Sequence, residues 1–96
     1  MKPSEALAAN RTAIHRAVAA HHARNPRVIG SVLHGEDAES SDLDLLVDPT
    51  PEATLFDLAG MQQELEALLG VPVDVVTPNA LPDRTRERIL AEAEPV

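Results

Sequence analysis

The sequence predicts an α/β (α+β) fold, a small mixed sheet packed with helices, and three features of the 96-residue chain carry that expectation. Leu43-Asp44-Leu45-Leu46-Val47 is an apolar run of strand length, continuous enough to be buried on both faces. Val71-Pro72-Val73-Asp74-Val75-Val76 is rich in β-branched residues and lies between Gly70 and Pro78, which punctuate it. Around these runs, apolar residues recur at helical spacing: Leu7, Ile14 and Val18 in one segment, Leu58, Met61, Leu65 and Leu68 in another.

Taken in order, Ser4 is expected to cap a first helix that runs to about Arg24, and Asn25-Pro26 to break it. Val28-Ile29 starts a first strand, turned by Gly30-Ser31. Leu43 to Val47 is the second strand, and Asp48-Pro49-Thr50-Pro51 reads as a turn. A second helix spans about Thr54 to Leu69. Thr54 and Asp57 fit a capping box at its start, and Gly70 is a natural stop. Val71 to Val76 is the third strand, ended by Pro78. A last helix is expected from about Pro82 to Glu94, with Ile89, Leu90 and Ala93 inward and Arg84, Arg86 and Arg88 largely outward. No repeat or long linker divides the chain, so residues 1–96 read as a single domain.

Composition narrows the class. There is no cysteine, which excludes disulfides and thiolate metal sites. No signal-like or membrane-length apolar run is present, so a cytoplasmic protein with no membrane association is expected. The net charge is −8, unevenly spread: residues 1–27 hold five cations against one acid, and residues 28–96 hold three arginines against fifteen acids. With one Phe and no Trp or Tyr, the chain lacks both the basic stripe and the stacking platforms of a nucleic-acid binder. Direct nucleic-acid binding is not expected, and an acidic body suits a basic protein partner.

The chemistry concentrates in Gly30-Ser31-Val32-Leu33-His34-Gly35 and Ser41-Asp42-Leu43-Asp44. A Gly-Ser pair alone is usually an ordinary turn. It also lets backbone N–H groups approach a phosphate closely, with the serine hydroxyl adding a hydrogen bond, and Gly35 lets the loop turn back. Asp42 and Asp44 stand two apart at the start of a strand, so their carboxylates aim at one side. Such paired hard ligands suit Mg2+, whose shell is completed by phosphate oxygens and water. A solvated acidic turn would explain Glu36, Asp37 and Glu39, but not Asp44 between two leucines. Asp74 interrupts an apolar strand; an acid buried there needs a partner, whereas on an edge strand it would simply face water. Walker A, EF-hand and Ser-His-acid readings each fail on spacing or context. His15, His21 and His22 match no zinc motif and suit a helix C-terminus.

From Gly30 to Asp48 the chain resembles the signature of the DNA polymerase beta-like nucleotidyltransferase superfamily. It is most similar to minimal nucleotidyltransferases of the MntA type, the antitoxins paired with HEPN toxins. The pattern is Gly-Ser, three residues, Gly, a loop of fixed length, then Ser-Asp-x-Asp, so Gly35 and Ser41 belong to it as well. His34 departs from it, because most minimal members carry Arg there. Histidine offers a phosphate only a partial charge near neutral pH. The resemblance implies a nucleotidyltransferase fold in which Gly30, Ser31, His34, Gly35 and Ser41 bind ATP. Asp42, Asp44 and Asp74 would then bind Mg2+, with Asp74 completing the set and helping to deprotonate the acceptor. It further implies an antitoxin that AMPylates, and so neutralises, a cognate HEPN ribonuclease toxin within a hetero-oligomer. Two alternatives stay open: an antitoxin that neutralises by binding alone, and an enzyme of the same chemistry acting on a small molecule or RNA through a separate acceptor-binding subunit.

Overall fold

The computed structural model describes all residues from Met1 to Val96. The expected first helix is two: α1 (Pro3–Ala9) and α2 (Arg11–Ala20). The break is at Asn10, where φ is −133° and ψ 25°. Its side-chain amide donates to the Ala6 carbonyl at 2.8 Å, a local bond that competes with helix continuation. Ser4 is not the cap. Lys2 holds that position, with Pro3 first in the helix and the Glu5 carboxylate accepting the Lys2 N–H at 2.8 Å. The apolar stripe survives the break, since Leu7, Ile14 and Val18 are all buried.

Helix α2 stops at Ala20, and His22 turns the chain with a φ of 58°. Strand β1 (Ala23–Ile29) therefore starts earlier than expected, and Asn25-Pro26 lies inside it. The pair forms a bulge: Asn25 has a φ of 56°, and the register with the neighbouring strand slips between Arg24 and Arg27. A bulge accommodates a proline that cannot donate to the ladder. Strand β2 (Leu43–Pro49) is two residues longer than expected, because Asp48 and Pro49 pair with Arg24 and Ala23.

Helix α3 (Leu55–Leu69) has the expected ends. Thr54 and Asp57 form the capping box, and Gly70 is left-handed at φ 70°. Its buried stripe is Met61, Leu65 and Leu69; Leu68 points to solvent. Strand β3 (Val73–Val76) starts two residues late. A 3-10 turn follows at Pro78–Ala80, then α4 (Arg86–Glu92), shorter than expected at its N-terminal end. The turn before α4 is held by the Arg86 guanidinium, which donates to the carbonyls of Pro78 and Leu81 and to Asp83. Leu90 is exposed rather than inward. Glu94-Pro95 form an unforeseen strand, β4, against Arg27 and Val28.

The sheet is mixed, as predicted, with order β3-β2-β1-β4; β2 and β3 are parallel, and the other pairs antiparallel. Its two faces differ. Val28, Leu43, Leu45, Val47 and Val73 join α1, α2 and α3 in the main core. The opposite face carries only a small cluster of Ile29, Leu46 and Leu81, with Val76, Ile89 and Ala93 packed beside it. Side chains alternate along a strand, so Asp44 and Asp48 share this thinly covered face with Leu46. No helix is long and apolar enough to cross a membrane.

Candidate active site

Strand β2 is the central support. Leu43, Leu45, Leu46 and Val47 are fully buried, which fixes the backbone that carries Asp44. Asp44 lies in register with Asp74 on parallel β3 and with Ile29 on antiparallel β1. Residues opposite each other in register project to one face, so Asp44 and Asp74 do so here. Asp42 precedes the strand and lies close enough to repel Asp44. Burial first, then the charges of Asp74 and Asp42, push the Asp44 carboxyl above the ordinary aspartate range. The expectation that Asp74 is buried in its strand is not met: β3 is a sheet edge and Asp74 is exposed. Its solvated side tolerates the charge while its other neighbour is Asp44.

Gly30 ends β1 with a φ of 77°. A Cβ added there would collide with the Asp44 carboxylate oxygen Oδ2 and sit 3.3 Å from its Cγ. Glycine therefore does two things, reaching a left-handed conformation and leaving the Asp44 carboxylate room. Residues 31–35 coil into one turn, in which His34 N–H donates to Gly30 O at 3.3 Å and Gly35 N–H to Val32 O at 3.2 Å. The N–H groups of Ser31, Val32 and Leu33 meet no protein acceptor. With no partner in the protein, they are available to an anion. Gly35 is left-handed at φ 69°, which lets the loop reverse.

The Ser41 hydroxyl accepts the Ala38 N–H at 2.8 Å and closes the turn before Asp42. Upstream, the Asp37 carboxylate accepts the Ser4 N–H at 3.0 Å, which holds it below the usual carboxylate range. The loop between Gly35 and Asp42 is thus tied to the start of α1.

His34 lies about half exposed on a cleft of about 210 Å³ between the Gly-Ser loop and α4. Ile29, Leu33 and Ile89 give it an apolar part, and Gly30, His34, Arg88 and Glu92 its polar part. Glu92 Oε2 stands 3.6 Å from His34 Nε2 and 3.5 Å from Arg88 Nη1. Helical spacing alone places Arg88 on the outward side of the last helix. Only the packing of α4 beside the Gly-Ser loop reveals its place here, and no local pattern signals it. His21 and His22 go elsewhere, to Glu64 and Asp57 respectively, and have no part in this site.

The carboxylate set fits a hard divalent cation. It consists of oxygen donors, one carboxyl raised by its burial and then by like charges, and an open solvent side. No group of three or more His, Cys, Asp or Glu side chains is placed to hold a metal ion by itself. Mg2+ usually takes only one or two carboxylates and fills its shell with waters and phosphate oxygens. Beside it lies a loop with free N–H donors and no Cβ at the point of closest approach. The arrangement can bind a metal-bound polyphosphate across two adjoining strands.

Residues 26–96 match the family model described as "Nucleotidyltransferase domain". The chain is 38% identical over 73 residues to a candidate protein adenylyltransferase, MJ0435, of Methanocaldococcus jannaschii, covering 76% of this chain and 78% of that protein. It is 38% identical over 65 residues to the protein adenylyltransferase MntA of Thermococcus cleftensis, covering 68% and 66%. Among solved structures, a candidate minimal nucleotidyltransferase superposes with a TM-score of 0.86 at 47% identity, over 97% of this chain and 95% of that one. A toxin-antitoxin crystal structure with AMP-PNP shares the fold, with a TM-score of 0.74 at 17% identity over 90% and 71%. The chain belongs to the nucleotidyltransferase-domain family and is a nucleotidyltransferase of the minimal type.

Proposed function

We propose, with membership of the nucleotidyltransferase family as the premise, that this protein transfers the adenylyl group of ATP to a hydroxyl of a partner protein. The observation that carries the reading is the pairing of Asp44 with Asp74 at one register of adjacent strands, with Asp42 and Gly30 alongside. Asp42, Asp44 and Asp74 would hold Mg2+, which supplies positive charge at the phosphate being attacked. The acceptor hydroxyl oxygen forms a bond to the α-phosphorus. The bond from that phosphorus to the oxygen bridging to the β-phosphorus breaks, and pyrophosphate leaves with the electron pair. The hydroxyl proton goes to a carboxylate, and Asp74, exposed on the edge strand, is the one an incoming partner reaches. The N–H groups of Ser31, Val32 and Leu33, with the Ser31 hydroxyl, bind the departing phosphates. Gly30 leaves space for Asp44. Gly35 and Ser41 shape the loop ends, and His34 borders the phosphate side.

The relatives named protein adenylyltransferases support ATP as donor and a protein as acceptor. The resemblance to MntA-type antitoxins supports a HEPN ribonuclease toxin as that acceptor, in a cytoplasmic two-component system, and the net charge of −8 suits a basic partner. Intact mass of the purified toxin after incubation with this protein, ATP and Mg2+ tests the reading. The expected result is a gain of one or more adenylyl groups with loss of ribonuclease activity. Inhibition with no mass gain would make the protein an occluding antitoxin instead. Neither binding nor mass gain would reject the antitoxin role.

A further inference from the structure

The cationic side chains near the site are few, and most are already engaged. Arg27 gives both terminal nitrogens to Asp48, and Arg86 is held by Asp83 and by the carbonyls of Pro78 and Leu81. Arg88 differs. Its side chain is 61% exposed, it lies on the same cleft as Gly30, and its one charged neighbour is Glu92 at 3.5 Å. That same Glu92 oxygen also faces His34. One carboxylate therefore stands against both the Arg88 guanidinium and the His34 ring, beside the Gly-Ser loop.

The sheet order gives this cleft a direction. Going across the strands, Asp74 lies on β3, Asp44 on β2, Gly30 at the end of β1, and the cleft beyond it under α4. Displacement at phosphorus is in line, so the attacking and leaving oxygens lie on opposite sides. With the acceptor at the Asp74 edge, the pyrophosphate extends over Gly30 toward Arg88. We infer that Arg88 is a substrate-contacting residue that binds the β- and γ-phosphates on the leaving-group side, and that Glu92 is its resting counter-ion, displaced when the polyphosphate arrives. This rests on the adenylyl-transfer reading above. The permanent charge comes from the guanidinium.

Equilibrium binding of Mg2+-ATP, Mg2+-pyrophosphate and AMP to the whole protein and its variants tests the assignment. Arg88→Ala should weaken ATP and pyrophosphate about tenfold, the size of one charge-assisted contact, and leave AMP within about twofold. Arg88→Lys should recover part of the loss. Glu92→Gln should tighten ATP by about threefold, since a competing anion is gone. Circular dichroism checks that each variant is folded. Unchanged ATP affinity in Arg88→Ala overturns the inference, as does an equal loss of AMP, which would move the contact to the nucleoside. A wild-type protein that binds no Mg2+-ATP rejects the adenylyl-transfer reading itself, and the inference with it.

Discussion

Asp44 and Asp48 stand four residues apart on β2 and on the same face of the sheet, yet the fold treats them oppositely. Asp48 accepts hydrogen bonds from Arg27 at 2.8 and 3.2 Å and from Asn25 at 3.1 Å. The Arg27 bonds, with Asn25 helping, hold its carboxyl below the usual range. Asp44 meets no cation. It is partly buried, faces Asp74 and Asp42, and is pushed upward. One acid completes the structure and the other waits for a charge the protein does not supply. Retaining an unpaired, partly buried carboxylate next to two others works against stability, and such conflicts collect where a protein binds or reacts.

The largest expected effect separates the two acids by activity. Asp44→Asn should abolish transfer, since loss of a metal anchor removes several kcal/mol of transition-state stabilisation. It should leave the domain at least as stable as wild type, because the neutral amide ends the repulsion. Single-turnover assays and urea melts measure both, and near wild-type transfer would break the contrast. Asp48→Ala should do the reverse. Arg27 has a side chain only 14% exposed and a buried Nε without a partner, so removing Asp48 strands a mostly buried charge. After allowance for solvent screening of a carboxylate 37% exposed, the cost should be about 1–3 kcal/mol in urea denaturation.

The two acids should also give opposite pH dependence. Asp48 has a lowered folded pKa, so its contribution is present above the ordinary aspartate value near ~3.9 and is lost as pH falls toward the lowered one. Asp44 has a raised folded pKa, so the native state binds the extra proton, and stability falls as pH rises from ~3.9 through the raised value. Urea melts of Asp44→Asn, Asp48→Asn and wild type from pH 3 to 7 read this out. Parallel difference curves would mean that both acids have equivalent surroundings.

A smaller effect is expected at Gly30→Ala. The left-handed φ costs about 1–2 kcal/mol for a residue with a Cβ, and the methyl displaces the Asp44 carboxylate, so stability and transfer should fall together. Smallest is a shift read at Asp44 itself: Asp74→Asn, which should also lose transfer, should move the Asp44 titration midpoint down toward the ordinary range in a carboxyl NMR titration. No movement would leave the Asp44 shift to burial and Asp42 and remove Asp74 from its neighbourhood.

The sequence alone determined what depends on near neighbours along the chain. The apolar run around Leu43–Val47 demanded burial on both faces, and the clusters on either side of β2 meet that demand. The capping box of Thr54 and Asp57 and the stop at Gly70 follow from local hydrogen bonding and left-handed freedom. Gly30 and Asp44 were linked by the resemblance to the nucleotidyltransferase signature, in which both belong to one pattern. Tertiary structure alone decided which distant elements meet. That Asp74 sits on an edge, in register with Asp44, depends on the order of strands, which no periodicity encodes. The pairing of Arg27 with Asp48 needs the bulge at Asn25-Pro26, and β4 is too short for any pattern to announce. Arg88 reaches the cleft because α4 packs beside the Gly-Ser loop, more than fifty residues away along the chain. Periodicity reports which side of an element is apolar; it carries no information on which remote charge that side will face.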